Sequence, residues 1–544
     1  MKIVIIGGVA TGMSAATRLR RLLEDAEITV YEMSEHVSYA NCGLPYFVSE
    51  VISKRDDLLL QTPQSLWSRF RINVKVQSKV TAIDKKTKTV MVQNLMTGEK
   101  FSDTYDKLVI STGAKPKQLS IPGIDRAHSL RNVTDADRIK SAIEATTHKS
   151  AVILGAGFIG VELAENLVHL GLSVTIVQRG PSLLAMFDPE MVQPLRERLE
   201  KHGIRVVLNA EAEKITATHV YLTNGQSLDA GLVFSAAGVE PDNALAKEAG
   251  LKIGATGGLW VDDQQRTSDD NIYAAGDAVE KLGQLTGEQS LVPLANLANR
   301  HGRLIADAIA GRPVTAKASL ATAIVGAFGI SAGITGLSER AAQRANIAHK
   351  IIHTHSNQHA GYYPGAKRVS LKILFDPNSG DLLGGQAVGE DGVDKRIDVI
   401  ATAIQGGLTI DDLMDLELAY APQFGSAKDA INIAGYVGNN VMTGTTPTIQ
   451  WYELDEMQSQ GAQVIDVRSP HEHGAGHIQG SINIPVDELR ERLSEIQSEN
   501  VVVYCAVGQR GHIATQILKA NNIQVRNLDG GYSTWAGAMA SIKN

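Results

Sequence analysis

Two cysteines are the side chains best suited to chemistry in this chain of 544 residues. They are its only cysteines, Cys42 and Cys505, and each lies beside a turn that could bind an anion. The thiolate is the reactive form of cysteine, and nearby amides or guanidinium groups stabilise it. Two cysteines are too few for a disulfide framework. The sequence therefore predicts two separate sites of sulfur chemistry.

Cys42 lies in the run SYANCGLPY, from Ser38 to Tyr46. No second cysteine lies near it, so it cannot form the internal disulfide of a Cys-x-x-x-x-Cys pair. The partner sulfur must then come from the substrate, as a disulfide or a persulfide. The alternative is a buried, inert structural cysteine.

The first 32 residues read as a nucleotide-binding unit. Residues 2–6 are predicted as a buried strand, 7–12 as a glycine turn, 13–23 as a helix and 28–31 as a second strand. This order is typical of a dinucleotide-binding fingerprint, in which amides hold the pyrophosphate and an acid takes a ribose hydroxyl. One departure is a valine at the second glycine position. The predicted cofactor contacts are Gly7, Val9, Ala10, Gly12 and Glu32.

The fingerprint recurs intact in the segment 151–160, with Gly155, Gly157 and Gly160. Its second strand, 173–177, ends in Gln178 and Arg179 instead of an acid. An acid would favour the ribose hydroxyl of NADH, whereas an arginine pairs with a 2′-phosphate. The sequence therefore favours NADPH or tolerance of both cofactors. The alternative is that the arginine points into solvent.

Three shorter segments complete a protein that binds two dinucleotides. Residues 108–116, with Thr112 and Gly113, and 233–241, with Gly238, are matched strand-and-turn segments that link two such domains. A later strand ends in Gly276 and Asp277. This aspartate is predicted to accept a hydrogen bond from the ribityl chain of a flavin.

Composition limits the remaining possibilities. A length of 544 residues predicts three or four domains, and 43% hydrophobic residues are enough for each to have a core. The net charge of −7 argues against nucleic acid or an anionic membrane as partner. No long apolar segment or signal sequence is recognised, and two thiols suit a reducing compartment, so a cytoplasmic location is expected. No metal site is expected.

The last hundred residues form a separate pattern after the polar linker TGTTP. The segments VIDVR, HIQGSINIP, VVVYC and GGYSTW together resemble a rhodanese domain. Cys505 follows a predicted buried strand and opens the loop CAVGQRG, which leads to a predicted helix from His512. Inward amides and Arg510 would stabilise a thiolate and a persulfide. Phosphatase activity is disfavoured because the loop is one residue short; an inactive rhodanese fold is the other alternative.

With these motifs, residues 1 to about 440 resemble the pyridine nucleotide-disulfide oxidoreductases. Within that family, they resemble the single-cysteine coenzyme A-disulfide reductases and coenzyme A-persulfide reductases. The resemblance implies FAD, NAD(P)H, a homodimer and a redox role for Cys42 beside the flavin. It also implies that Phe158 covers the flavin until nicotinamide displaces it. The implied coenzyme A contacts on this half are Ser14, Arg18, Arg21, Ser38, Asn41 and Asn299.

The third domain carries the segments HAGYYPGA and LAYAP. Similar tyrosines in the family reach the partner's cysteine and substrate, which assigns that role to Tyr362 and Tyr420. A phenol there could protonate a leaving thiol. Lys428 is a further implied substrate contact, and core packing is the alternative, favoured for Tyr363.

The predicted fold is α/β, with two Rossmann-like domains for FAD and NAD(P)H, an α+β dimerisation domain and a C-terminal α/β rhodanese domain. The predicted bounds are 1–115 with 249–319 for FAD, 116–248 for NAD(P)H, 320–440 for dimerisation and 447–544 for rhodanese. The predicted function is NAD(P)H-dependent, FAD-dependent reduction of coenzyme A persulfide or polysulfide. It releases hydrogen sulfide and thiol, and Cys505 relays sulfane sulfur.

Three alternatives stay open. The first is a coenzyme A-disulfide reductase with an accessory sulfurtransferase. The second is an NADH oxidase or peroxidase in which Cys42 cycles through a sulfenic acid. The third is a redox sensor that binds coenzyme A and turns over slowly.

Overall fold

The computed structural model describes residues Met1–Ile542. Two units can be distinguished in it, one formed by residues 1–179 and 203–321, the other by 180–202 and 322–542. The first contains the predicted FAD-binding region and most of the predicted NAD(P)H-binding region. The second contains residues 180–202 together with the regions predicted for dimerisation and rhodanese.

The N-terminal sheet of the first unit is parallel, and its central strands are buried on both faces. Two helices, Ala10–Leu22 and Ala295–Ile309, pack on one face, and a three-stranded sheet covers the other. Across the sheet the strands run in the order Ile272–Ala274, Lys107–Ile110, Lys2–Ile6, Glu27–Tyr31, Ile72–Lys75.

A second parallel sheet repeats this arrangement around the second fingerprint. Its helices are Val133–Ala145 and Phe158–His169. Across the sheet the strands run in the order Arg205–Val207, Ser173–Val177, Ser150–Leu154, Leu232–Ser235, Ala127–His128. Both fingerprint turns therefore lie at the carboxyl end of a central strand, where parallel sheets bind nucleotides.

The remaining elements of this unit are short. Antiparallel pairs join Ala114–Pro116 to Val239–Pro241, and Lys281–Leu282 to Gln289–Ser290. Two small antiparallel sheets consist of Ser78–Asp84, Thr89–Asn94, Lys100–Thr104 and of Ala212–Ile215, His219–Leu222, Ser227–Asp229. The short α-helices are Leu44–Val48, Pro63–Phe70 and Ala244–Glu248, and the 3₁₀ turns are Asn41–Gly43, Arg55–Leu58 and Ile124–Arg126.

The second unit begins with an antiparallel sheet, whose strand order is Ala323–Ala327, Ile330–Gly336, Leu382–Gly389, Arg368–Phe375, Lys350–Asn357. The helix Pro189–Lys201 belongs to this unit and packs against its strands. The other helices of this region are Glu339–Arg344, Val393–Gly406 and Ala430–Met442, with a 3₁₀ turn at Asp412–Met414.

The C-terminal part of this unit has its own parallel sheet and apolar core. The strand order is Thr448–Ile449, Gln524–Leu528, Asn500–Tyr504, Gln463–Asp466, Ile482–Asn483. The helices are Leu454–Ser459, Pro470–Gly474, Gln509–Ala520 and Gly531–Ile542, with 3₁₀ turns at Trp451–Glu453 and Leu493–Glu495.

The predicted fold class is confirmed, and three helix starts differ from the prediction. The first helix begins at Ala10 instead of Met13, the helix of the second fingerprint begins at Phe158 instead of Val161, and the last-domain helix begins at Gln509 instead of His512. Gly508, with φ +98°, is the residue before the latter helix. None of the helices that the structure describes combines the length and the hydrophobicity needed to span a bilayer.

Candidate functional site

Cys42 lies in the 3₁₀ turn Asn41–Gly43, directly before the helix Leu44–Val48. The residue is exposed, and no disulfide engages it. Desolvation of the thiol, followed by the carboxylates of Glu162 and Asp277, raises its pKa. Within this unit the protein therefore favours the thiol over the thiolate.

Glu162 is the carboxyl group that sequence reasoning missed near this cysteine. Burial, with the charge of Glu165, raises its pKa to about 7, although a hydrogen bond from Tyr46 opposes the shift. It lies one helical turn after Phe158, in the helix of the second fingerprint. That position was the available signal, because it puts an acid close to the predicted nicotinamide site.

The first fingerprint turn is held by Glu32. Its two carboxylate oxygens accept the backbone N–H groups of Gly8 at 2.7 Å and Ser34 at 2.8 Å. A side chain at Gly12 would overlap the carbonyl oxygen of Gly7, so helix and strand approach more closely than any other residue allows. Val9 is the N-cap of the helix and Ala10 its first residue. Four of the five predicted contacts thus lie in the turn, and the fifth, Glu32, holds the turn through its carboxylate.

The predicted ribityl contact lies beside two basic residues that were not predicted. Burial raises the pKa of Asp277, and Lys281 donates hydrogen bonds to the carbonyls of Gly276 at 2.8 Å and Val279 at 3.0 Å. Both ring nitrogens of the buried His301 lack a partner, and burial lowers its pKa to about 4. Unpaired buried nitrogens beside a cofactor turn fit a polar ligand such as FAD.

Thr112 and Gly113 lie where the two dinucleotide regions connect. The Thr112 hydroxyl donates to the carbonyl of Asp242 at 2.6 Å, and the Asp242 N–H donates to the carbonyl of Gly113 at 2.9 Å. Gly113 and Gly238 both have positive φ, +72° and +99°. These turns support the crossover predicted between two Rossmann-like domains.

The second fingerprint turn is open where a pyrophosphate would lie. A side-chain carbon at Gly157 would meet no atom within 4 Å, whereas one at Gly160 would overlap the carbonyl of Gly155. Phe158 is half-buried and is the first residue of the helix. Gln178 accepts the N–H of Ala156 at 3.2 Å through Oε1. The turn fits the pyrophosphate of a pyridine nucleotide.

Arg179 is exposed but has a carboxylate partner. Its Nε lies 3.5 Å from Oε1 of Glu211, and the side chains are 79% and 52% exposed. A 2′-phosphate approaching this arginine would meet the carboxylate as well. Arg179 alone would favour NADPH, but its pairing with Glu211 makes binding of the 2′-phosphate less favourable.

The structure places two of the predicted coenzyme A contacts together. The Ser14 hydroxyl donates to Oδ1 of Asn299 at 2.6 Å, between the helices Ala10–Leu22 and Ala295–Ile309. Arg18 instead donates to Asp307 at 2.8 Å, while Arg21 is exposed. Asp307 therefore holds the Arg18 guanidinium group, whereas the exposed Arg21 guanidinium group is accessible to a phosphate.

The contacts flanking Cys42 differ in their backbone roles. Ser38 has φ +50°, and its N–H donates to the carbonyl of Gly8 at 2.8 Å. This bond ties the cysteine segment to the first fingerprint turn. Asn41 is exposed next to Cys42, with its side chain open to solvent.

In the second unit, the two predicted tyrosines meet. The hydroxyls of Tyr362 and Tyr420 lie 2.9 Å apart, and this hydrogen bond raises the pKa of Tyr362. Both are exposed, 76% and 49%, and Tyr363 is also exposed at 43% rather than packed in a core. Lys428 lies 6.0 Å from the ring centroid of Tyr436. The exposed tyrosine hydroxyls are accessible to another molecule.

Cys505 lies at the end of the strand Asn500–Tyr504 and is 1% exposed. The N–H of Gly508 donates to its sulfur at 3.1 Å. The loop curls around the sulfur as predicted, with an amide aimed at it.

Arg510 was predicted to stabilise Cys505, and the structure adds Glu472 as its partner. Arg510 donates to the two carboxylate oxygens of Glu472 at 2.6 and 2.8 Å. This pairing is the main cause that lowers the pKa of Glu472 to about 2. Burial opposes the shift, whereas hydrogen bonds from Ser469 add to it. The S-x-x-E spacing of Ser469 and Glu472 signals a capping box, but not the pairing with Arg510.

Comparison with known proteins identifies the class. Residues 1–302 match the family described as pyridine nucleotide-disulphide oxidoreductase, 322–430 its dimerisation domain, and 450–538 the rhodanese-like domain. The chain belongs to the pyridine nucleotide-disulphide oxidoreductase family, and it is an enzyme of that class with a rhodanese domain. This membership implies FAD and NAD(P)H as cofactors. The four domain bounds drawn from the sequence stay a prediction.

Individual relatives narrow the class. The chain is 36% identical over 436 residues to the coenzyme A disulfide reductase of Staphylococcus haemolyticus, covering 80% of this chain and 98% of the relative. A reduced Bacillus anthracis CoADR-RHD structure is similar, with TM-score 0.97, 42% identity and coverage of 99% and 98%. An NAD-dependent persulfide reductase from A. fulgidus has TM-score 0.93, 37% identity and coverage of 98% and 100%. The predicted family and fold are thereby confirmed, and the chain is a disulfide or persulfide reductase.

Proposed function

We propose that this enzyme reduces coenzyme A persulfide or a related polysulfide with NAD(P)H, using Cys42 as its redox cysteine. The observation that carries the proposal is the pair of isolated thiols, Cys42 in the flavin-binding unit and Cys505 in a rhodanese loop. The relatives include both a coenzyme A disulfide reductase and a persulfide reductase, so either substrate is compatible with the family.

The proposed reaction has two steps. The Cys42 thiolate attacks the inner sulfur of R–S–S–H, which forms Cys42–S–S–R and releases HS⁻. Bound FAD supplies the transfer of a hydride equivalent from NAD(P)H to this mixed disulfide. The S–S bond of the mixed disulfide breaks, R–S–H leaves and the Cys42 thiolate is restored. Overall, R–S–S–H takes up one hydride and one proton and gives R–S–H and H₂S.

Residues on the same unit are proposed to hold the cofactors. The first fingerprint turn with Glu32, Gly276 and Asp277 would hold FAD, and the second turn with Gln178 and Arg179 would hold NAD(P)H. Phe158 would shield the flavin until nicotinamide binds. The raised pKa of Cys42 means that the thiolate needs stabilisation beyond the groups of this unit.

Coenzyme A is the proposed carrier of the substrate sulfur. Its contacts would be Ser14, Arg18, Arg21, Ser38, Asn41 and Asn299, joined by Lys428, Tyr362 and Tyr420 of a partner subunit in a homodimer. The Ser14 to Asn299 hydrogen bond and the exposed tyrosine hydroxyl pair support these assignments. The tyrosines would supply a proton to the leaving thiol.

Cys505 is proposed to accept and relay sulfane sulfur, with Arg510 and the Gly508 amide stabilising the charge. A reducing compartment such as the cytoplasm would keep both thiols available.

The test measures NAD(P)H consumption with coenzyme A persulfide and with coenzyme A disulfide. Wild type, Cys42→Ser and Cys505→Ser are compared side by side, with sulfide release followed in each. Preference for the persulfide, with Cys42 essential, supports the proposal, and a loss in Cys505→Ser supports the relay. Faster disulfide turnover that ignores Cys505 would instead identify a coenzyme A-disulfide reductase. Oxygen consumption without a sulfur substrate would identify an oxidase.

A further inference from the structure

A cluster of buried charges lies inside the second unit. The Lys372 side chain is 0% exposed, and its Nζ lies 3.0 Å from Asp188, 2.5 Å from Glu190 and 2.6 Å from Glu339. Three carboxylates this close could hold a metal ion, but the ammonium group already contacts all three. The cluster is therefore an ion-pair network.

His353 extends this network toward the rhodanese domain. Its Nδ1 lies 2.6 Å from Oδ2 of Asp529, its backbone N–H donates to Oδ1 of the same residue at 3.1 Å, and its Nε2 lies 3.4 Å from Glu190. Burial opposes the imidazolium, but Asp529 and Glu190 outweigh it and raise the pKa of His353 to about 9. The histidine is thus a buried cation between two carboxylates.

Asp529 is followed at once by the turn that holds the Cys505 loop. The N–H of Tyr532 donates to the carbonyl of Cys505 at 2.8 Å, and that of Ser533 donates to the carbonyl of Ala506 at 3.0 Å. A side chain at Gly531 would overlap the Cys505 carbonyl, and one at Gly530 would come within 2.7 Å of Cβ of His353. The turn is therefore in contact with the histidine on one side and with the loop on the other.

One side of the Cys505 loop borders a cavity, and His353, Asp529 and Gly530 line the same cavity. Val507, Gly508 and Gln509 line this cavity of about 400 Å³, whose wall also includes Lys428 and Tyr436. Apolar packing on that side cannot define where the Gly508 amide lies. The position of the loop therefore depends on hydrogen bonds, including those from the turn after Asp529.

We propose that His353 and Asp529 are positioning residues for Cys505. Through this pair, a strand of the dimerisation domain fixes the turn 530–533, and the turn in turn keeps the Gly508 N–H on the Cys505 sulfur. The inference deepens the proposed sulfur-accepting role of Cys505 and rests on it. The dimerisation domain then determines how reactive the sulfurtransferase cysteine is.

Other charged and titratable groups face His353 from the elements packed around it. They lie on the packed helices and on its own and neighbouring strands: Asp188, Glu190, Glu339, Arg340, His355, Arg368, Lys372 and Asp529. Burial, followed by the charges of His353 and Arg368, lowers the pKa of His355 to about 3, so it stays neutral.

The same two domains have contacts that do not involve the loop. The Tyr452 hydroxyl donates to Oε1 of Glu339 at 2.6 Å, and Gln450 donates to the carbonyl of Ile351 at 3.2 Å. Neither residue belongs to the Cys505 loop or to the turn behind it. Tyr452→Phe is therefore a matched control, since it removes an anchoring hydrogen bond between the same domains.

The experiment measures alkylation of Cys505 by iodoacetamide as a function of pH. A Cys42→Ser background leaves Cys505 as the single thiol. The variants are Asp529→Asn, His353→Gln, the double variant and Tyr452→Phe, all in the full-length flavoprotein. Loss of an amide bond to the thiolate should slow alkylation about tenfold at neutral pH in either single variant. Tyr452→Phe should leave the rate unchanged.

The double variant keeps the test decisive if a lone buried charge prevents folding. It removes the two opposite charges together, so it should fold and should react faster than either folded single variant, as expected for a coupled pair. Wild-type alkylation in the folded Asp529→Asn and double variants would overturn the proposal, as would an equal slowing by Tyr452→Phe. The readout needs no sulfur substrate, so failure of the proposed function would appear separately, as absent persulfide turnover with the alkylation differences intact.

Discussion

Glu472 holds Arg510 by two hydrogen bonds, at 2.6 and 2.8 Å, and thereby orients the guanidinium group toward the Cys505 site. The two planar groups match in geometry, so the pair resists rotation better than a single contact would. Hydrogen bonding to Glu472 is the largest cause of the raised pKa of Arg510. Burial opposes this rise, and the charge of Cys505 adds to it.

The first prediction concerns this pair. Arg510→Lys keeps the charge but cannot form the planar two-point contact, so sulfur acceptance by Cys505 should fall about tenfold or more. The measurement is the rate of sulfur transfer from a persulfide donor to Cys505. Arg492→Lys is the control, because Arg492 makes a similar exposed contact with Glu488 and Glu495 in the same domain. Equal activity in the two variants would contradict the prediction.

The second prediction concerns stability against pH. The pKa of His353 is raised from 6.5 to about 9 on folding, so its stabilising contribution is complete below 6.5 and is lost as pH rises through about 9. Thermal unfolding of wild type and His353→Gln should therefore differ most below pH 6.5 and converge above about pH 9. A difference that grows with rising pH would have the wrong sign.

The third prediction concerns the choice between NADH and NADPH. Glu211→Gln removes a carboxylate beside Arg179, so kcat/KM for NADPH should rise about two- to fivefold relative to NADH. Arg179→Ala should lower the NADPH value and leave the NADH value nearly unchanged. An unchanged ratio in both variants would show that the arginine points into solvent and does not take part.

The fourth prediction concerns Glu162 and Cys42. Because the pKa of Glu162 is about 7, its charge opposes the Cys42 thiolate mainly above that pH. In a Cys505→Ser background, Glu162→Gln should speed alkylation of Cys42 several-fold above pH 7 and have little effect well below it. Glu240→Gln is a surface control, since Glu240 pairs with Lys115. A uniform change at all pH values would contradict the electrostatic account.

The sequence predicted the parts of the sites that consist of one continuous segment. Both fingerprint turns, the Cys42 run and the Cys505 loop have their residue types within a few positions of one another. The strands 173–177 and 500–504 follow from the same local patterns. A residue such as Gly12 is predictable because only glycine fits where helix and strand touch.

The parts that sequence reasoning missed join distant segments. Asp529 meets His353 across 176 positions, and Lys372 meets Glu190 across 182. No spacing rule connects such residues, because tertiary packing alone brings them together. The predicted start of the helix Gln509–Ala520, at His512, is wrong for another reason. The loop motif extends past Arg510, whereas in the structure Gly508 ends the loop.

The helix Pro189–Lys201 has a consequence for how the protein can be divided. It lies within the segment predicted to bind NAD(P)H, yet its residue Glu190 neutralises Lys372 in the second unit. A recombinant fragment that starts at residue 322 would bury a lysine deprived of two of its three carboxylates. Such a fragment should express as aggregate, whereas a fusion that adds residues 180–202 should recover soluble protein.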